Sequence, residues 1–213
     1  MGSILEDLII EKTYLLEDLI VNPQQVVKRC KFIEDLCQNF DFLPETHFEF
    51  KDDRIIYRQQ KIAKQNSNHM SFEEKYSYLY EFAKGLDKLT KTGFIHGDIK
   101  TANVLFNKEK LWLVDLEPAL RQRRQGRITL IYTPPYISLS DLKNDRLTHE
   151  TDKIGFYFFV QRFFDPTYKL ENVHTLMKKR IEENFELFTI PEKRFLLKSF
   201  EEILDHIYKN YFF

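Results

Sequence analysis

The sequence predicts an α+β fold in a single domain over 1–213, with a small strand-containing part over 1–62 and a mainly helical part over 63–213. A strand-turn-strand pattern over residues 47 to 59 is one observation behind this division. The second is a capping box, Ser71-Phe-Glu-Glu74, opening a long amphipathic stripe. The third is helical periodicity through most of the chain after residue 150.

Taken in order, residues 5 to 21 read as short strand pieces. Asn22-Pro23 then opens a helix, with Asn as N-cap and Pro in the first turn. Val26, Val27, Cys30, Ile33, Leu36 and Cys37 recur at helical spacing, and the helix ends near Asn39. Phe48, Phe50, Ile55, Ile56 and Tyr57 flank a turn at Asp52-Asp53, which makes a β-hairpin. The stripe Phe72, Tyr76, Leu79, Phe82, Ala83, Leu86 and Leu89 runs to a stop at Gly93. Val104 to Phe106 and Leu111 to Val114 form two short strands around a turn at 107 to 110. Helices follow over 152 to 164, 171 to 186 and 190 to 211, the last with a capping box from Thr189 to Glu192.

Composition excludes several classes. With 213 residues, 43% apolar and 15% aromatic, the chain can bury a real core, so it is not disordered. Charges nearly cancel, 32 basic against 33 acidic, which leaves no global footprint for nucleic acid or an anionic membrane. The longest nearly apolar run, Ile154 to Val160, is too short to span a bilayer, and no secretory signal pattern opens the chain. Cys30 and Cys37 sit seven apart on one helix, about 10 Å of rise and too far for a disulfide, so they read as reduced thiols of an intracellular, cytoplasmic protein. The histidines have no zinc-ligand spacing. No GxGxxG and no GxxxxGK[ST] occurs, which removes a Rossmann fingerprint and a Walker A loop.

The stretch that carries chemistry is His96-Gly97-Asp98-Ile99-Lys100-Thr101-Ala102-Asn103, with Asp115 twelve residues after Asn103. It resembles the catalytic loop and metal-binding segment of the protein kinase fold, H-x-D-x-x-x-x-N and then a strand ending in Asp. Thr133-Pro-Pro-Tyr136 resembles the stretch that closes the activation segment and helps dock peptide substrates. Thr151-Asp152 through Gly155 resembles the start of the central helix of the helical lobe, whose Asp anchors the catalytic-loop backbone. The resemblance covers residues 71 to 164 and implies a two-lobed kinase-like fold with a minimal N-lobe.

The resemblance implies an ATP- and Mg²⁺-dependent phosphotransferase, a serine/threonine protein kinase acting on protein hydroxyls. Asp98 is then the catalytic base, Lys100 meets the γ-phosphate, and Asn103 and Asp115 ligate the metal, the strand pair between them bringing them side by side. The departures are specific. The Gly-rich loop is missing, and Val26-Val27-Lys28 only imitates the strand lysine motif from within a helix. Lys12 is the preferred phosphate-binding lysine, with Glu34 as its partner. Asp115-Leu-Glu117-Pro118 replaces Asp-Phe-Gly, so this segment is not expected to flip. Gly97 stands where regulated kinases carry an arginine, and Ser140-Asp141 stands where an Ala-Pro-Glu ending is absent. Arg121, Arg123, Arg124 and Arg127 form a solvated basic loop or a dock for an acidic, phosphorylated or nucleic-acid partner. Competing readings are a pseudokinase acting as a nucleotide- or protein-binding module, and a small-molecule or carbohydrate kinase or kinase-like ATPase of the same fold. The missing Gly-rich loop favours the first, and His-Gly-Asp suits the second.

Overall fold

The computed structural model describes residues 9–19, 22–108, 110–124, 127–130, 133, 136–168 and 198–212. Two compact units emerge: Met1–Gln65 with Leu105–Ile131, and Asn66–Val104 with Tyr132–Phe213. The division therefore differs from the expected break after residue 62, because residues 105–131 return to the first unit. Backbone bonds from Gln65 N–H to Phe106 O at 2.8 Å and from Leu113 N–H to Phe42 O at 3.0 Å hold them there.

The first unit is built on a three-stranded antiparallel sheet of β1 (Ile9–Leu15), β2 (Thr46–Lys51) and β3 (Arg54–Gln60), in the order β1-β3-β2. Leu16–Asp18 adds a 3-10 turn after β1. Helix α1 spans Pro23–Asn39, and its Asn22 cap accepts the Gln24 N–H at 2.9 Å. Val26, Cys30, Ile33 and Leu36 line its buried stripe, while Phe48, Ile55 and Tyr57 supply the sheet side of the core. Each such side chain contributes about 1.5–3 kcal/mol of burial. Two hairpins complete the unit: β4 (Val104–Asn107) with β5 (Lys110–Leu113), and β6 (Arg121–Arg124) with β7 (Arg127–Leu130).

The second unit is helical. Helix α2 (Phe72–Thr90) starts with the full capping box, Ser71 Oγ accepting Glu74 N–H at 3.1 Å and Glu74 accepting Ser71 N–H at 2.7 Å. Helix α3 (Leu139–Lys143) is one short turn, and α4 (His149–Phe164) begins three residues before the expected start because Thr148 caps it. Helix α5 covers Phe200–Phe212, and Ser199 with Glu202 forms its capping box. This corrects the start expected near residue 190; the Thr189–Glu192 box and the helix over 171 to 186 lie outside the described residues. Phe82, Phe156, Phe159 and Phe200 form the aromatic core, with Phe156 and Phe200 edge to face at 5.2 Å. Asp87 of α2 accepts the Phe200 and Glu201 N–H groups at 2.8 and 3.2 Å, fixing where α5 begins.

Candidate active site

In the second unit, the loop after α2 is shaped by one buried carboxylate. Asp152, in the first turn of α4, accepts the His96 N–H at 3.0 Å and the Gly97 N–H at 2.7 Å. Burial pushes its carboxyl above the usual carboxylate range, opposed by His96 and these two N–H groups. Gly97 adopts φ +85°, where a glycine costs no strain. At Gly155 a β-carbon would collide with the Ile99 carbonyl oxygen and stand 3.2 Å from its carbonyl carbon, so α4 and the loop touch backbone to backbone. These contacts fix Ile99 and, next to it, Asp98.

Asp98 sits in a dense polar network. Thr133 Oγ1 donates to its Oδ1 at 2.6 Å, and Lys100 Nζ donates to its Oδ2 at 2.6 Å and to Thr133 Oγ1 at 3.0 Å. Asn103 Nδ2 donates to the Asp98 backbone oxygen at 3.0 Å and to Oδ2 at 3.3 Å. That orientation turns the Asn103 amide oxygen away from Asp98. Asp98, Lys100 and Asn103, named from spacing, are thus brought together. Thr133 is the member that spacing did not reveal; its signal was the Thr-Pro-Pro-Tyr stretch, read only as a docking element. Downstream, Tyr136 stacks on Phe158 at 5.4 Å. Asp141, buried, accepts Thr148 N–H and Thr148 Oγ1–H, each at 2.8 Å, and Thr151 Oγ1–H at 2.6 Å. A hydroxyl network therefore stands where an ion pair could not be assigned from sequence.

In the first unit, Asp115 follows β5 with φ +67°, an uncommon left-handed conformation for a residue with a β-carbon. Its N–H reaches Gln59 Oε1 at 3.4 Å. Lys12 of β1 forms an ion pair with the Asp115 carboxylate, and its Nζ lies 3.9 Å from Glu117 Oε1. Burial, reinforced by the Glu117 carboxylate, pushes the Tyr14 phenol far above its usual range. Arg29 Nε donates to the Glu117 backbone oxygen at 2.9 Å. Glu34 is not the partner of Lys12. Its carboxylate accepts the Phe48 N–H at 2.8 Å and meets His47 Nδ1 at 2.9 Å. Strand order is the reason: Lys12 lies on β1, and Glu34 meets β2, on the far side of β3. Lys28 is an exposed helix lysine. In the arginine-rich hairpin, Arg121 pairs with Leu130, Arg123 with Ile128, and Arg124 lies directly opposite Arg127.

A family model for the protein kinase domain matches residues 24–209. The chain belongs to the protein kinase domain family. This kinase domain is 30% identical over 118 residues to Rho-associated protein kinase 1 from Oryctolagus cuniculus, Mus musculus and Homo sapiens, a match over 50% of this chain and 9% of each relative. The chain therefore matches under a tenth of those relatives' length. Among solved structures, the Cydia pomonella granulovirus kinase PK-1 superposes with a TM-score of 0.60 at 14% identity, over 91% of this chain and 78% of that one, a likeness of fold alone. Family membership supports a phosphotransferase of the protein kinase type with an α+β kinase-like fold. Among the described residues, no helix is long and apolar enough to cross a membrane.

Proposed function

We propose that this kinase domain transfers the γ-phosphoryl group of ATP to serine or threonine hydroxyls of a protein substrate, in the cytoplasm. The observation that carries the reading is the Asp98 carboxylate held by both Lys100 and Thr133. A carboxylate fixed from two sides can accept and orient a substrate hydroxyl proton without searching for its position. Lys100, already beside Asp98, can then follow negative charge as it develops on the transferred group. The lysine at that position accords with a serine or threonine acceptor, as does the relation to Rho-associated protein kinase 1.

The donor chemistry fits Mg²⁺. Asn103 and Asp115 offer hard oxygen ligands, and among the described residues no cluster of three or more His, Cys, Asp or Glu forms an all-protein cage. Mg²⁺ is commonly held by one or two such ligands together with substrate phosphates and water. When bound, it would neutralise phosphate charge; Asn103 and Asp115 are the residues proposed to hold it, and Lys12 is proposed to contact phosphate. Glu34 is left out of nucleotide binding by its bonds to β2. The hairpin arginines are proposed to receive acidic side chains of the protein substrate, since no acidic residue occurs between Pro118 and Ser140 to offset them.

A second reading, a nucleotide-binding module without turnover, is favoured by the lysine that engages Asp115 directly. Intact-mass spectrometry of the protein and a general protein substrate after incubation with MgATP separates the two. Phosphate mapped to Ser or Thr and lost with Asp98→Asn supports the kinase. Nucleotide binding with no added mass on either protein supports the module.

A further inference from the structure

Asp115 has two claims on it. Its carboxylate is engaged by the Lys12 ammonium, yet the same oxygens are those proposed for a divalent cation. A metal ligand freed by pushing a lysine into solvent costs the ion pair, whereas a lysine that steps to a neighbouring carboxylate keeps its charge compensated. The structure holds such a neighbour ready. Glu117 Oε1 stands 3.9 Å from Lys12 Nζ, and the Glu117 side chain is only 14% exposed. Arg29 holds its backbone oxygen at 2.9 Å. Lysine, with one compact charge on a four-carbon stem, suits a short step between two acceptors.

Resting on the reading of Asp115 as a metal ligand, we propose that Glu117 is a positioning residue that receives Lys12 when Asp115 gives it up to a divalent cation. Lys12 then stays at the site in both states, paired first with Asp115 and then with Glu117. Removing the Glu117 charge leaves Asp115 as the sole carboxylate for Lys12, so lysine and cation compete. A role for Glu117 confined to its backbone bond with Arg29 would give no such competition.

The test is Mn²⁺ binding to the full chain without nucleotide, followed by the electron paramagnetic resonance signal of free Mn²⁺, so that no phosphate offers Lys12 another anion or chelates the cation. Glu117→Gln is expected to weaken Mn²⁺ binding about fivefold, the scale of one partly exposed ion pair. In a Lys12→Met background the same substitution is expected to change nothing, because the competitor is gone. Equal weakening in both backgrounds, or none in either, overturns the proposal. Glu117→Asp, which keeps the charge, should give a smaller shift that also vanishes with Lys12→Met, and it carries the test should Glu117→Gln fail to fold. Absence of Mn²⁺ binding by the unsubstituted chain would overturn the metal reading itself, a result distinct from binding that is indifferent to Glu117.

Discussion

Gly155→Ala sets two magnitudes against each other. In an exposed helix interior, alanine is favoured over glycine by about 1 kcal/mol, and Gly155 lies within α4, so propensity alone predicts a more stable protein. The structure predicts the opposite sign. The new β-carbon would overlap the Ile99 carbonyl oxygen and crowd the Ile99 carbonyl carbon and β-carbon, each at 3.2 Å. Backbone cannot swing aside as a flexible side chain does, so either α4 or the loop must shift, and overpacking of that kind costs about 1–3 kcal/mol. The net expectation is destabilisation by up to about 2 kcal/mol, read as a lower urea midpoint at unchanged slope. Because Asp98 is joined directly to Ile99, phosphoryl transfer should fall as well. A Gly155→Ala protein with a raised urea midpoint would refute the close approach of α4 to the loop.

Asp152→Ala orphans the His96 and Gly97 N–H groups in a buried setting, at about 1–3 kcal/mol each, and equilibrium unfolding should register the loss. Thr133→Val removes the hydroxyl shared by Asp98 and Lys100 and should lower kcat by about tenfold or more with the KM for ATP little changed, measured by steady-state kinetics. Burial pushes the Cys37 thiol up to about 11 and the Cys30 thiol up to about 12, above the usual 9.0. The folded state thus disfavours both thiolates, so stability falls as pH rises above about 9, and alkylation of native Cys37 at pH 8 should run about a hundredfold slower than in urea. Charge reversal at Arg124 and Arg127 together should raise the KM for acidic peptides while leaving that for ATP unchanged, with the loss shrinking at high salt.

Signals that act over a few residues were legible in the sequence. Asn22-Pro23 and Ser71 through Glu74 fix helix starts through bonds to backbone two or three positions away, and both appear where the pattern placed them. The clustering of Asp98, Lys100 and Asn103 was legible for the same reason, since Lys100 and Asn103 reach Asp98 from two and five residues away. The partner of Lys12 was not. It depends on strand order, and the order β1-β3-β2 puts the helix residue Glu34 against β2 and leaves Lys12 to Asp115, 103 residues on. Ser199 and Thr189 each head a box pattern with an acidic residue three positions later; Asp87 of α2 marks Ser199 as the cap of α5 by binding the next two N–H groups.

The same distinction explains how each unit tolerates its departures from the family pattern. Gly97 removes a side chain at a position with φ +85°, so the loop keeps its bend without strain, and Asp152 supplies the restraint from across the fold. Glu117 adds a side chain where glycine is usual, and two other residues meet it: Lys12 near the carboxylate and Arg29 at the backbone oxygen. Asp141 replaces a buried ion pair by three hydrogen bonds to one charged group. Hydrogen bonds to a charged group contribute about 1.5–3 kcal/mol each, whereas an ion pair would bury a second charge at several kcal/mol of desolvation. A local change read alone therefore points to lost function, but each is met by groups outside its own motif, and those groups are where substitutions should reveal whether phosphoryl transfer survives.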